Sequence, residues 1–190
     1  MDRHHRHFFY DIQFQSTVQD PDFEESVMRI LQRPTGWKRW NFDFTRVYPD
    51  KQGARHMRGN THRYFTIKLA TNDRIRRFGR DFDGMSVCHC TKNKVYINLD
   101  RWLTGAHHNP GDNVSSMPLE EYRNYVVLHE VGHVLSQCSP LDHKDATQCR
   151  QGKAPIMMQQ TRGVSPCTWN THPLEGVDNI EAEKNHPTPR

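Results

Sequence analysis

The 190-residue sequence predicts one domain of the mixed α/β (α+β) class, built on a twisted mixed sheet of about five strands with an antiparallel edge strand. Segments with strand-like alternation are interleaved with segments of helical periodicity, and no internal repeat or linker divides them. A hairpin pattern ends the series of strands, and an amphipathic helix follows it. The remainder is irregular, so we expect residues 1–175 to form the domain and residues 176–190 a flexible tail.

The first half of the chain supplies three strands and one helix. Residues 8–15 alternate like a strand, and residues 21–32 have helical periodicity with Asp20 as the N-cap. The apolar stripe of this helix comprises Phe23, Val27, Ile30 and Leu31. Residues 40–48 and 63–70 alternate like strands and are separated by a polar loop that contains glycine.

An arginine-rich segment follows these strands. It contains Arg74, Arg76, Arg77 and Arg80, with Asp73, Asp81 and Asp83 interleaved. A nucleic-acid-binding patch and a solvated loop are the two interpretations. The formal net charge is only +4 and both signs are mixed in this segment, so the sequence favours the loop.

A β-hairpin pattern covers residues 85–90 and 94–99, with a turn through residues 91–93. Cys88 and Cys90 lie two residues apart on its first strand, so their side chains share one face. Packing of both thiols against the core is the alternative to a metal or redox role.

The motif His129-Glu130-Val131-Gly132-His133 carries the chemistry of this chain. Two imidazoles four residues apart lie one helical turn apart, so both can reach one metal ion. Glu130 lies about 100° round the helix, beside the metal but not bound to it. This arrangement is typical of a zinc peptidase, in which the glutamate is the general base for a zinc-activated water. A core helix with two hydrogen-bonded histidines is the alternative.

The residues around the motif predict a helix from about 118 to 137. Pro118 suits its first turn, and Glu120 and Glu121 suit the positive end of the helix dipole. The face opposite the histidines comprises Val127, Val131 and Val134. Gly132 costs about 1 kcal/mol relative to alanine in a helix interior. Its presence indicates a close backbone approach, as for a helix pressed beneath a sheet.

A catalytic zinc needs a third protein ligand. The metzincin signature HExxHxxGxxH places that histidine ten residues after the first. Ser139 stands there, and Ser136 stands where the glycine belongs, so the strict signature is broken. The next histidine along the chain is His143. The alternative ligands are Asp142, Glu175 and His172.

The chain resembles a metzincin-like (zincin) family of zinc metallopeptidases that are often secreted by bacteria. Members carry HEVGHxLGHxH, then a cysteine and a Pro-Val-Met-Gln-Gln-Gln-Thr segment. Besides the motif, the matching residues of this chain are Asn98, Arg101, Trp102, Gly105, Tyr122, Arg123, Val126, His143, Cys149, Ala154, Pro155, Ile156, Met157, Met158, Gln159, Gln160, Thr161, Gly163, Cys167 and Trp169. Before Asn98 the resemblance extends only to the order of elements.

The resemblance implies that His143 is the third zinc ligand, after a four-residue insertion. It also implies a tight methionine turn beneath the zinc at Met157; the alternative is that Met157 and Met158 simply fill core space. Many metzincins place an oxyanion-stabilising tyrosine two residues after the turn methionine. Gln159 stands there in this chain, so that role has no residue.

The zincin order of elements also implies a substrate-binding strand. In that arrangement the edge strand lies above the zinc cleft and binds an extended peptide by strand addition. In this sequence the strand covers residues 85–90, and its candidate substrate-binding residues are Ser86, Val87, Cys88, His89 and Cys90.

Five cysteines leave at least one outside any disulfide within a monomer, and no CxxC pair indicates a zinc ribbon. Cys149 and Cys167 match cysteines of the family and bracket the methionine turn, so they are the expected pair in an oxidising compartment. Closure of the loop between them would contribute about 3 kcal/mol. Cys138 lies in the inserted stretch.

Taken with the resemblance, the sequence predicts a zinc-dependent peptidase, most simply an endopeptidase, with Zn²⁺ as cofactor and a peptide or protein as substrate. A zinc-bearing binding module without turnover is the alternative, because the insertion and the missing tyrosine depart from the metzincin pattern. A basic nucleic-acid-binding protein is a third interpretation. No apolar run approaches membrane-spanning length, and the opening residues lack the apolar stretch of a signal peptide.

Overall fold

A computed structural model describes residues 6–48, 63–106, 117–139, 143–178 and 180. In chain order its strands and α-helices are β1 (Arg6–Phe14), α1 (Phe23–Gln32), β2 (Phe42–Arg46), β3 (Tyr64–Ala70), α2 (Asn72–Arg76), β4 (Val87–His89), β5 (Lys94–Asn98), α3 (Leu99–Thr104) and α4 (Leu119–Leu135). Short 3-10 helices occur at Trp37–Trp40, Arg80–Phe82, Cys90–Lys92, Ala146–Gln148 and Gln160–Arg162. None of the helices within the described ranges is long and apolar enough to cross a membrane.

The strands form one mixed sheet in the order β2-β1-β3-β5-β4. Strand β1 pairs in parallel with β2 and β3, and β3 pairs in parallel with β5. Strand β4 pairs antiparallel with β5 and forms one edge of the sheet. The predicted five-stranded mixed sheet with an antiparallel edge strand is therefore confirmed in the described part of the chain.

The core lies between one face of the sheet and the helices α1 and α4. Alternation along β1 points Phe8, Tyr10 and Ile12 into this core, where Tyr10 stacks on Phe65 of β3. Most of α4 is buried, since it packs against α1, α3 and strands β4 and β5. This burial fixes the helix that carries the motif.

Helix α1 begins two residues later than the sequence predicts, and its N-cap is Asp22 instead of Asp20. The carboxylate of Asp20 accepts a hydrogen bond of 2.9 Å from the backbone N–H of Asp22. Asp20 therefore stabilises the turn before the helix, and the predicted cap is wrong.

Two short helices, α2 and α3, were not predicted. They lie in the arginine-rich segment, where a loop was expected, and at the end of the last predicted strand. Helix α2 covers part of the arginine-rich segment, where Arg76 lies 3.9 Å from Asp73 and 3.7 Å from Asp83. Helix α3 begins after Asn98, whose side chain accepts hydrogen bonds from the two backbone N–H groups at Asp100 and Arg101. A single capping residue therefore ends β5 and starts a helix too short to show periodicity.

The irregular C-terminal part extends further than the sequence predicts. Asp178, placed in the tail by sequence, is only 1 % exposed and accepts hydrogen bonds from the domain. The domain therefore reaches at least Asp178, three residues beyond the expected boundary at 175. Residue 179 and residues 181–190, the rest of the predicted tail, lie outside the described residues.

Candidate metal centre

Three histidines converge at the C-terminal end of α4. His129 and His133 project from successive turns of the helix, and His143 joins them from the segment that follows. Their candidate ligand nitrogens all lie within 4.8 Å of one another. Zinc–nitrogen bonds of about 2.1 Å place two ligands of one ion within about 4.2 Å of each other. The limit of 4.8 Å is slightly wider than one zinc ion requires, and a small movement of the rings would bring the three nitrogens to bonding distance.

A hydrogen bond fixes the ring of His129. Its Nδ1 lies 2.8 Å from the carbonyl oxygen of Ile156. A carbonyl can only accept, so Nδ1 carries the hydrogen and the lone pair of Nε2 is left for a metal. Burial, and to a lesser extent the charge of His133, lower the pKa of His129 to about 3. The ring is therefore neutral near neutral pH, which is the form that binds metals.

Of the four candidate third ligands, only His143 lies in the cluster among the residues that the structure describes. His143 is exposed and joins the cluster, with its Nε2 3.5 Å from Nε2 of Gln159. Glu175 is also exposed, but its carboxylate lies 3.6 Å from the guanidinium of Arg39 and it is absent from the cluster. His172 is absent from it too. Asp142 lies outside the described residues.

Glu130 lies beside the histidine cluster and is 5 % exposed. Its carboxylate accepts a hydrogen bond from the backbone N–H of Cys88 on β4. Burial raises the pKa of Glu130 to about 7, although a neighbouring His133 and the Cys88 amide both act to lower it. A carboxyl group with such a pKa can both take up and release a proton near neutral pH.

The segment around Met157 packs directly against α4. A Cβ atom on Gly132 would overlap Sδ of Met157 and would lie 2.9 Å from the Trp37 ring. The close approach predicted at Gly132 is therefore present, but two side chains make it, and the expected sheet does not. The indole N–H of Trp37 also donates to the carbonyl of Leu128, at 2.8 Å. Trp37 and Met157 together fix the depth of the motif helix.

Asp178 binds the backbone of the segment around Met157, and the sequence did not predict this role. Its carboxylate accepts backbone N–H groups from Ile156 at 2.9 Å, Met157 at 3.1 Å and Leu174 at 2.7 Å. Burial raises the pKa of Asp178, and these three hydrogen bonds oppose that rise. The Ile156 carbonyl that accepts from His129 belongs to the same peptide group as the Met157 N–H, so Asp178 positions that histidine through one peptide group. No local pattern marks such a residue, since two of its three partners, Ile156 and Met157, lie more than 20 residues away.

Tyr125, one turn before the motif, is the second residue that sequence reasoning missed. Its hydroxyl donates to the carbonyl of Met158 at 3.1 Å and accepts from the backbone N–H of Gln160 at 2.9 Å. Burial is the main cause that raises the pKa of Tyr125, so it stays a neutral phenol. The turn after Met157 is thus fixed to α4 by one side chain.

A cleft of about 560 Å³ opens above the histidines. Strand β4, at the edge of the sheet, borders the cleft. The strand covers only Val87–His89, three residues fewer than the predicted range 85–90. Ser86, Val87, Cys88 and Cys90 line the cleft. His89 instead packs edge-on against Phe78, with 5.2 Å between ring centroids. Gln159, Thr161 and Arg162 also line the cleft.

Two disulfides are present. Cys149 is joined to Cys167, the expected pair. Cys90 is joined to Cys138, with a Cα–Cα distance of 5.9 Å, and this pair was not predicted. Cys90 is exposed, so the alternative in which both thiols pack against the core is wrong. The pairing of Cys90 with Cys138 could not be predicted from the sequence, because the turn that brings Cys138 close to the end of β4 depends on the tertiary fold.

The turn after α4 explains the departure from the strict signature. Ser136, at the position of the signature glycine, ends the helix with φ −89°. The left-handed conformation comes later, at Gln137 and Cys138, with φ values of 56° and 54°. The chain thus turns one to two residues further on, consistent with an insertion before His143.

Comparison with known proteins gives one match. Residues 1–186 match the model of a family described as "Protein of unknown function (DUF3152)". No curated protein and no solved structure matches the chain. Because the match spans almost its whole length, the chain belongs to the DUF3152 family.

Proposed function

We propose that this protein is a zinc-dependent peptidase that cleaves peptide bonds within proteins. The observation that carries the proposal is the convergence of three imidazoles beside a buried glutamate, at the base of an open cleft. Few other functions require this combination, because a structural histidine cluster needs neither the glutamate nor the cleft.

The donor set fits zinc. Three imidazoles suit zinc among the divalent ions, and three protein ligands leave a coordination position open, as in catalytic sites. His129, His133 and His143 would hold the ion. When bound, zinc would supply Lewis acidity toward a carbonyl and would lower the pKa of a water molecule.

Glu130 would move the proton. Its carboxylate would accept a proton from the attacking water and then donate it to the departing amine. The Cys88 amide orients the carboxylate, and burial of Glu130 keeps bulk water from competing for it. Glutamate has no role in holding the metal in this scheme.

The cleft would bind an extended peptide. One wall follows β4, an edge strand whose outer backbone groups, apart from the Cys88 N–H that donates to Glu130, can pair with a substrate strand. Because β4 is only three residues long, pairing can involve few residues of the substrate. Side-chain contacts from both walls would then supply the rest of the binding.

One observation favours a second candidate, a zinc-bearing binding module without turnover. Gln159, which stands where many metzincins carry a tyrosine, lies beside His143 in the cleft. The nucleic-acid interpretation gains no such support, because Arg76 lies between two aspartates.

Hydrolysis of an unstructured protein such as casein, by zinc-loaded protein at neutral pH, tests the proposal. Glu130→Gln should retain zinc and lose at least about 100-fold in rate, within the range of general acid–base catalysis. Glu120→Gln, on the exposed first turn of the same helix, is the matched control and should keep the wild-type rate. Equal rates for Glu130→Gln and wild type would refute the role of Glu130. A zinc-loaded wild type that cleaves nothing would identify the binding module.

A further inference from the structure

Three cysteines gather at the rim of the cleft. The disulfide between Cys90 and Cys138 joins the end of β4 to the turn after α4. Cys88 belongs to neither disulfide, and its Sγ lies 3.8 Å from Sγ of Cys138. All three cysteines line the cleft. One sulfur is thus held in contact with a disulfide formed by two others.

This juxtaposition meets the requirements of thiol–disulfide exchange. Exchange proceeds by attack of a thiolate on one sulfur of a disulfide, so it needs a thiol within reach and access for solvent. Cys88 supplies the thiol, and Cys90 is exposed. The other disulfide differs, because Cys167 is 8 % exposed and packs with Ala154 and Val164. Exchange is therefore expected at one disulfide and not at the other.

We propose that Cys88, Cys90 and Cys138 form a thiol–disulfide exchange site with two interconverting crosslinks. The Cys88 thiolate attacks Sγ of Cys138, so the bond between Cys88 and Cys138 forms as the bond between Cys90 and Cys138 breaks. The electron pair of the broken bond leaves with Cys90, which takes up the proton that Cys88 has lost. One disulfide and one thiol remain, so the step needs no oxidant or reductant.

The backbone at Cys138 supports this assignment. Gln137 and Cys138 are consecutive non-glycine residues with positive φ, a conformation that costs free energy and persists only where the surroundings impose it. The crosslink at Cys138 and a 2.7 Å hydrogen bond from its N–H to the carbonyl of His133 impose it here. Either crosslink would hold this turn, because both contain Cys138.

The exchange would bear on Glu130, and this consequence rests on the proposed function. The amide of Cys88 donates to the Glu130 carboxylate, whereas Cys90 lies beyond the end of β4. Transfer of the crosslink to Cys88 attaches the turn after α4 to the residue that orients the carboxylate. The two crosslinked forms should therefore hydrolyse peptides at different rates. The exchange itself does not depend on hydrolysis.

Acid-quenched disulfide mapping tests the exchange without any assay of hydrolysis. Wild type is kept at neutral pH without oxidant or reductant, treated with N-ethylmaleimide, quenched in acid and digested for mass spectrometry. We expect label on both Cys88 and Cys90, and crosslinks from Cys138 to each. In Cys88→Ser the label on Cys90 should fall by more than tenfold. The disulfide between Cys149 and Cys167 should persist in both proteins as the internal control.

A second variant covers the case in which Cys88→Ser folds poorly. In Cys90→Ser, glutathione disulfide should convert Cys88 and Cys138 into a crosslinked pair. Label confined to Cys88 in wild type, or two free thiols in the treated Cys90→Ser protein, would overturn the proposal. If exchange occurs but the protein hydrolyses no peptide, the exchange site stands and only the proposed function is refuted.

Discussion

A single peptide group links a buried aspartate to the first candidate metal ligand. The N–H of Met157 donates to Asp178, and the Ile156 carbonyl of the same peptide group accepts from His129. Hydrogen bonds to the non-ligating nitrogen of a histidine set the orientation of its ring and the metal affinity of the site. At the scale of residues, the site therefore depends on a side chain near the end of the described chain.

Asp178→Asn should weaken both the fold and the metal site. The amide keeps one oxygen but places an NH₂ group against backbone donors, which should lower the free energy of unfolding by about 1–3 kcal/mol. Zinc affinity should fall by about 10–100-fold. Denaturant titration and competition with a zinc chelator measure the two effects. Asp73→Asn, on exposed α2, is the control; an Asp178 variant that behaves like it would remove Asp178 from the account.

Gly132→Ala should destabilise the protein although alanine favours helices. The gain in helix propensity of about 1 kcal/mol is opposed by overlap with Met157 and Trp37, and overpacking of a core costs about 1–3 kcal/mol. We expect a net loss of stability in chemical denaturation. Combination with Met157→Ala should recover part of the loss caused by Gly132→Ala. Additive effects of the two substitutions would show that these residues are not in contact.

At the scale of elements, strands and the long helix could be predicted and short helices could not. The hairpin at β4 and β5 and the helix α4 repeat their pattern over several residues, and α4 lies within two residues of its predicted ends. Helices α2 and α3 contain fewer than two turns, so capping and tertiary contacts decide them. The sequence also singled out the three histidines that converge, but the third rested on resemblance and not on spacing.

Strand β4 allows the backbone and the side chain of Cys88 to be tested separately. Cys88→Pro removes both the thiol and the N–H that donates to Glu130, whereas Cys88→Ser removes only the thiol. Proline is tolerated on edge strands when its position faces away from the ladder. We expect hydrolysis to fall about tenfold or more in the proline variant relative to the serine variant, with zinc content unchanged. Equal rates in two folded variants would mean that the amide does not orient the carboxylate.

At the scale of the whole molecule, a regular sheet-and-helix part and an irregular part meet at the histidine cluster. The irregular part is fixed by local turns, by Asp178 and Tyr125, and by the disulfide between Cys149 and Cys167. Its fold could not be predicted, because these contacts follow no sequence period. The position of His143 depends on it, so the integrity of the site depends on both parts.

Removal of the disulfide between Cys149 and Cys167 should destabilise the whole domain. The sequence separation is 18, and closure of a loop of that size contributes about 3 kcal/mol. The double variant Cys149→Ala, Cys167→Ala should lose about that amount in non-reducing denaturant titrations. In reductant the wild type should lose at least this amount, because the disulfide between Cys90 and Cys138 is reduced as well. A double variant as stable as oxidised wild type would show that this crosslink does not constrain the unfolded chain.

We propose that three histidines bind one zinc ion, and metal analysis of the purified protein tests this proposal. Elemental analysis after dialysis against zinc should give one zinc per chain in wild type. Zinc content should fall at least about tenfold in His143→Ala, while His172→Ala, outside the cluster, should retain one zinc. Full zinc content in a folded His143→Ala protein, or no zinc in wild type, would contradict the account.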